Sequence, residues 1–147
     1  MNIYAERAQA VAQKRVSISC VVPVHNEEKV IGQFLTALNA ELSTLSHDYE
    51  IIIVDDGSHD HSLTVIAEHS TPQTKVISFS RNFGKEIALT AGIDHATKDV
   101  TILIDCDFQH PLAMLKTFLA EWAKGNDMVY AVRKNRDDTS KVKKFLA

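Results

Sequence analysis

Cysteine is scarce: Cys20 and Cys106 are the only two in 147 residues, and both lie inside apolar runs. Each reads as a small buried hydrophobe, which excludes a disulfide scaffold. His25, His59, His61 and His110 do not stand at zinc-ligand spacing from them. No run approaches the roughly 20 apolar residues of a membrane span, and residues 1–15 lack the apolar stretch of a secretory leader. This stretch of chain reads as cytosolic in character. Positive charge is not in excess either. The net charge is −3 and the pI about 6.1, which argues against nucleic acid as a partner, because a phosphate backbone asks for a broad basic surface. Internal repeats and low-complexity linkers are missing.

What is present suits one packed domain: 45% hydrophobic and 24% charged residues. Five short runs rich in β-branched residues recur, Ser17–Val22, Glu50–Val54, Lys75–Phe79, Val100–Ile104 and Met128–Val132. They are near-continuously apolar, as parallel strands covered on both faces are. Helical patterns lie between them. Glu28–Leu45 carries Val30, Ile31, Phe34, Leu35, Leu38 and Leu42 on one stripe. Asp60–His69 follows, then Lys85–Ala96 with Ile87, Ala88, Ala91 and Ile93, then Pro111–Lys124, with proline at the helix start. The alternation predicts an α/β fold, a doubly wound, mostly parallel sheet flanked by helices. Residues 1–15 form a helical extension and 16–137 the main domain. At 138–147 the pattern is that of a helix that starts and does not finish, read either as a frayed terminus or as a chain cut from something longer.

In an open parallel sheet, ligands bind beyond the carboxyl ends of the strands. The polar clusters follow the strands: Pro23 to Glu28, Asp55 to Asp60, Ser80 to Lys85, Asp105 to Pro111 and Arg133 to Arg136. Asp105 and Asp107, one residue apart at a strand exit, repel each other unless a cation or a proton sits between them. Hard oxygen ligands select Mg2+ or Mn2+, with phosphate oxygens and water completing the shell and Gln109 offering an amide oxygen. The plain alternative is two acids favouring the N-terminus of the helix at Pro111. Asp55 and Asp56 have a similar pair of readings. Asp-Gly is a turn signal, and Ser58 or Asp60 can cap the next helix; one carboxylate could instead accept from a uracil or guanine. Pro23 would hold a loop against base or ribose. Asn26 and Glu27 read equally as ordinary capping residues. Arg81, Lys85 and Arg133 supply cations, Arg133 ahead of Arg81 for a diphosphate. Gly84 permits close backbone approach at a helix N-terminus, an anion site.

Together and in this order, VVPVHNEE, VDDGSHD, FSRNFGKEIALTAG, IDCDFQHP and the Arg133 segment resemble the inverting family-two glycosyltransferases of the A-type fold, and more narrowly the polyprenyl-phosphate and dolichyl-phosphate sugar synthases. The resemblance covers about residues 16–147. It implies a nucleoside pocket at Pro23, His25 and Glu27, base contacts from Val54 and Asp56, and metal and diphosphate at Asp105 and Asp107. Cys106 is counted with these donor-binding residues, as are Arg81 and Lys85. Gln109 adds to the metal shell, and Arg133 binds the diphosphate. His25 departs from the tyrosine common in the eukaryotic synthases. The family continues past this point with an interfacial amphipathic helix, so the resemblance favours a truncated chain that stops inside that helix, with membrane contact from Ser140 onward.

The implied reaction is sugar transfer from a nucleoside-diphosphate sugar, a UDP-sugar favoured over GDP-mannose, to a polyprenyl phosphate at the cytoplasmic membrane face, with Asp107 and Arg133 as the catalytic residues. A phosphate acceptor is already ionised, so no strong base is demanded. The rivals are a transferase extending a glycan hydroxyl, a nucleotidyltransferase, and a nucleotide-sugar-binding module without turnover. VVPVHNEE is not the Gly-rich loop a nucleotidyltransferase would show after its first strand. A homo-oligomer is a further open expectation.

Overall fold

The computed structural model describes residues 2–132 and 142–144. In chain order the elements are α1 (Ile3–Ala12), β1 (Ile18–Val24), α2 (Ile31–Leu45), β2 (Tyr49–Asp55), α3 (Ser62–His69), β3 (Thr74–Ser78), α4 (Lys85–Asp94), β4 (Val100–Leu103), α5 (Met114–Ala123), β5 (Val129–Ala131) and β6 (Val142–Lys144). The first four strands form one parallel sheet in the order β3-β2-β1-β4. The chain therefore winds outward from β1 to β3 and then returns to the other side of β1. That reversal opens a crevice between the carboxyl ends of β1 and β4, where ligands of such sheets bind.

Side-chain alternation along the strands decides which helix covers which face. Ile18, Cys20, Val22 and Val24 of β1, with Ile51 and Ile53 of β2 and Ile102 of β4, pack against Phe34, Leu38 and Leu42 of α2, Ile66 of α3 and Leu115 and Leu119 of α5. The opposite face is thinner. Val21, Ile52 and Val54 meet α4 chiefly through Ala88, and α4 lies so close that a Cβ on Gly92 would fall 2.2 Å from Val21 Cγ1. The expected apolar stripe on α4 is only half realised: Ala88 is buried, but Ile87 and Ile93 are about half exposed. Ala88 and Gly92 make the closest approach, and Leu89 and Ala91 pack at its margin.

The amino-terminal end of the sheet is pinned by a buried carboxylate. Glu50 accepts from Ser19 Oγ at 2.6 Å, from Thr97 N and Oγ1 at 3.0 Å each, and pairs with Lys75 Nζ at 2.5 Å. Burial pushes its pKa up, but Lys75 and these donors outweigh that and hold it at about 2. α1 docks on α5, with Arg7 over the Trp122 ring at 4.7 Å and paired to Asp127 at 3.1 Å.

Two expectations need correction. The fifth strand is not part of the parallel sheet: β5 pairs antiparallel with β6 in a separate two-stranded ribbon. In addition, a helix is expected over 138–147, yet Val142–Lys144, the described part of that segment, is the strand that faces β5. The backbone of these residues finds its hydrogen-bond partners in β5, so it pairs as a strand. The remainder of the expected interfacial segment lies outside the described residues.

Candidate active site

The loop after β1 and the loop after β2 are tied together by their polar side chains. Asn26, with φ +53, donates its N–H to Ser58 Oγ and accepts at Oδ1 from His59 N, both within 2.9 Å. Glu27 N donates to Ser62 Oγ and Glu28 N to Asp60 Oδ2. These amides precede the regular turns of α2, where no intrahelical acceptor exists for them, and the side chains of the neighbouring loop supply one. Asp60 accepts from the Ser62 amide and hydroxyl and so supports the start of α3. Ser58, the other capping candidate, is engaged by Asn26.

His25 sits at the junction. Its Nδ1 lies 2.8 Å from the Asp56 carbonyl, which can only accept, so Nδ1 carries the proton. Nε2 then accepts from the side-chain amides of Asn26 at 3.2 Å and Asn82 at 3.1 Å. The ring links three loops.

Asp56 is buried, and both carboxylate oxygens are engaged: Oδ1 accepts from Phe83 N at 2.7 Å and Oδ2 from Gly84 N at 3.0 Å. It thereby seats the loop that leads into α4. Gly57, at φ +65, lets that loop come close, since a Cβ there would stand 2.3 Å from the Arg81 carbonyl carbon. Gly84 has a conformational reason of its own to be glycine. A Cβ would meet nothing within 4 Å, but φ is +101, a conformation that other residues rarely adopt. Arg81 turns its guanidinium over the Phe83 ring, 4.6 Å from its centre.

Beyond β4 the alternation of the strand continues. Ile102, Ile104 and Cys106 point into the core, and Asp105 and Asp107 point away from it. Asp107 Oδ1 accepts from Gln109 N at 2.9 Å, and Asp105 Oδ2 pairs with Lys85 Nζ at 2.6 Å. Phe108, at φ +55, folds back edge-on to the buried Phe34 ring, 5.3 Å away. Burial and then the Glu27 carboxylate push the Cys106 thiol up to about 12, and burial alone does the same for Cys20. Both read as core residues, as expected from the sequence.

These loops enclose a cleft of about 200 Å³ lined by Pro23, Val24, His25, Glu27, Asp56, Lys85, Asp105, Cys106 and Asp107. All but Val24 are expected from the sequence, and Val24 could have been found as the last inward residue of β1. Three expected residues are not brought to it. Val54 is fully buried beneath α4, so its side chain cannot touch a base. Arg81 stacks on Phe83, and the exposed Gln109 meets Asp107 only through its backbone. Arg133 lies outside the described residues. A larger apolar cleft of about 590 Å³ runs along β4 between α4, α5 and β5, and Lys85 and Asp105 line it as well.

Among the described residues no three His, Cys, Asp or Glu side chains gather into a complete metal cage. Two carboxylates completed by phosphate oxygens and water is the usual arrangement for Mg2+, so Asp105 and Asp107 fit that kind of ion. The Lys85 ammonium already on Asp105 shows that this carboxylate is placed to receive positive charge.

The sequence profile described as Glycosyl transferase family 2 matches residues 19–146. An uncharacterized glycosyltransferase YkcC of Bacillus subtilis is 40% identical over 91% of this chain and 42% of its own length. A prophage bactoprenol glucosyl transferase homolog of Escherichia coli is 40% identical over 90% of this chain and 44% of its own. The chain thus spans less than half the length of these curated relatives. Among solved structures, the mannosyltransferase PcManGT from Pyrobaculum calidifontis, in complex with GDP-Man and Mn2+, superposes with a TM-score of 0.70 at 21% identity, over 91% of this chain and 43% of that one. Glucosyl-3-phosphoglycerate synthase from Mycobacterium tuberculosis, in complex with UDP, gives 0.63 at 22%, over 85% and 45%. At these identities the likeness concerns the fold, the A-type architecture of glycosyltransferases.

Proposed function

Because this chain belongs to glycosyl transferase family 2, we propose that it forms the donor-binding part of a divalent-cation-dependent, inverting glycosyltransferase that moves a sugar, glucose or a related hexose, from a UDP-sugar to a polyprenyl phosphate. The observation that carries this reading is the cleft at the sheet's reversal point, with His25 and Asp56 on one side and Asp105 and Asp107 on the other. The nucleoside sits against Pro23 and His25, where a rigid proline and an imidazole ring offer a flat, partly apolar wall. The diphosphate lies toward Asp105, Asp107 and Lys85. The relatives named for bactoprenol glucosyl transfer support both the hexose and the lipid-phosphate acceptor.

In the transfer, an acceptor phosphate oxygen forms a bond to the anomeric carbon as the bond from that carbon to the diphosphate oxygen breaks. The electron pair leaves with the nucleoside diphosphate. Asp105 and Asp107 would hold a divalent cation, which would neutralise the charge of that leaving group. Lys85, and Arg133 beyond the described residues, add positive charge where negative charge develops on the departing diphosphate. His25 and Asp56 hold the loops so that this geometry exists before the donor arrives. The full protein works at the cytoplasmic face of the membrane, where its lipid acceptor is. No helix among the described residues is long and apolar enough to cross a membrane.

A thermal-shift screen of the intact protein with UDP- and GDP-sugars, with and without Mn2+, tests the donor assignment. Binding to the folded state alone raises stability by mass action, about 2.7 kcal/mol at one hundred times Kd. A UDP-sugar should stabilise more with Mn2+ than without it. Stabilisation by GDP-sugars alone overturns the base assignment, and stabilisation by neither overturns the donor reading.

A further inference from the structure

Among the described residues that line the cleft, Lys85 is the one lysine or arginine, beside Glu27, Asp56, Asp105 and Asp107. Its backbone is the first residue of α4, directly after the Gly84 that Asp56 holds. Its side chain is 57% exposed, and it reaches across to Asp105, itself 39% exposed, with 2.6 Å between Nζ and Oδ2. An anchored backbone with a solvated ammonium is the arrangement of a group that can change partners. Exposed ion pairs contribute little, so this one exchanges readily. A divalent cation and an ammonium cannot share Asp105 without strong like-charge repulsion.

We infer that Lys85 is the resident counter-ion of Asp105, that a divalent cation enters only by displacing it, and that the donor's diphosphate takes up the released ammonium. One side chain then links the two binding events. The donor draws Lys85 off the carboxylate and makes the metal bind more tightly, and by linkage the metal does the same for the donor. The inference rests on the reading of this cleft as a donor site, although its first half, displacement by the metal, does not need a donor.

The test is Mn2+ binding to the intact protein, followed by electron paramagnetic resonance or calorimetry, without nucleotide and then with saturating UDP. Lys85→Met should bind Mn2+ alone about three- to fivefold more tightly than the parent, and the tightening produced by UDP should shrink by the same factor. Lys85→Arg, which keeps the charge, should behave as the parent. Arg81→Met removes a cation from the neighbouring loop that does not touch Asp105, and should change Mn2+ affinity less than twofold. An unchanged or weaker Mn2+ affinity in Lys85→Met overturns displacement, and so does an equal gain in Arg81→Met, which would assign the effect to the overall field. If the Lys85→Met gain is seen but neither UDP nor GDP binds the parent, displacement stands and the donor reading fails.

Discussion

Two acidic pairs stand at two strand exits, Asp55-Asp56 after β2 and Asp105-Cys106-Asp107 after β4, and the fold uses them in opposite ways. In the first pair the carboxylates are adjacent, so the strand's alternation sends them to opposite faces of the sheet. Asp55 goes to the α2–α3 side, where Ser78 Oγ donates to Oδ2 at 3.2 Å and Oδ1 is buried without a hydrogen-bond partner among the described residues. Asp56 goes to the α4 side and holds two backbone amides. In the second pair an intervening residue keeps both carboxylates on one face, outward, with Cys106 turned inward. A pair separated by one residue can share a cation; an adjacent pair in a strand cannot. The difference lies in spacing and not in residue type.

The comparison breaks most directly at Asp107. Asp107→Asn in the intact enzyme should lower turnover at least about a hundredfold, because the residue faces the cleft and its charge is not needed by the chain itself. Its effect on folding should stay within about 0.5 kcal/mol, as for other exposed positions. Steady-state transfer assays and urea denaturation read the two effects separately. Metal-dependent turnover at the parental rate would show that the outward pair is only a helix-start feature, the plain alternative that the sequence leaves open.

Asp56 should show the reverse pattern. Asp56→Ala leaves the Phe83 and Gly84 amides without their acceptor, which costs about 2–4 kcal/mol. Denaturant midpoints measure the loss, and it should exceed that of Asp105→Ala by about 2 kcal/mol or more. Equal losses at the two sites would remove the distinction between a carboxylate engaged by its own chain and one left for a ligand. A weaker donor affinity in Asp56→Ala is expected as well, but as a consequence of the unseated loop that carries Lys85.

How far this was legible before the structure depends on where the partners lie. The four parallel strands were readable because strands covered on both faces are continuously apolar, and Asp105 and Asp107 because their spacing survives any boundary error. The hold of Asp56 on two backbone amides was hidden, because its donors lie 27 and 28 residues later in a loop whose approach no local pattern announces. The direction of the Val54 side chain was hidden for the same reason: a residue beside an exposed motif can still point under α4. The α4 stripe misled because helical spacing shows which residues share a face, but not how closely that helix approaches the sheet, and here only Ala88 and Gly92 are fully buried against it. β5 could not be told from a fifth parallel strand, since three apolar residues carry no information about their partner.

The smallest effect tests the alternation itself at Cys106. If its side chain is turned inward, as Ile102 and Ile104 are, its thiol pKa near 12 leaves almost no thiolate at pH 8. Thiolate is the nucleophile, so iodoacetamide should label the folded protein about a thousandfold more slowly than an ordinary free thiol. Cys20, fully buried, should be equally inert, and both should label promptly in denaturant. Mass spectrometry of the modified peptides assigns each site. A fast reaction at Cys106 that Mn2+ and nucleotide suppress would mean that the thiol faces the cleft. The strand would then have lost its alternation before Asp105, and the two aspartates would owe their shared face to the loop and not to the sheet. The contrast between the two acidic pairs would remain, but its cause would move from strand geometry to the turn that Phe108 makes at φ +55.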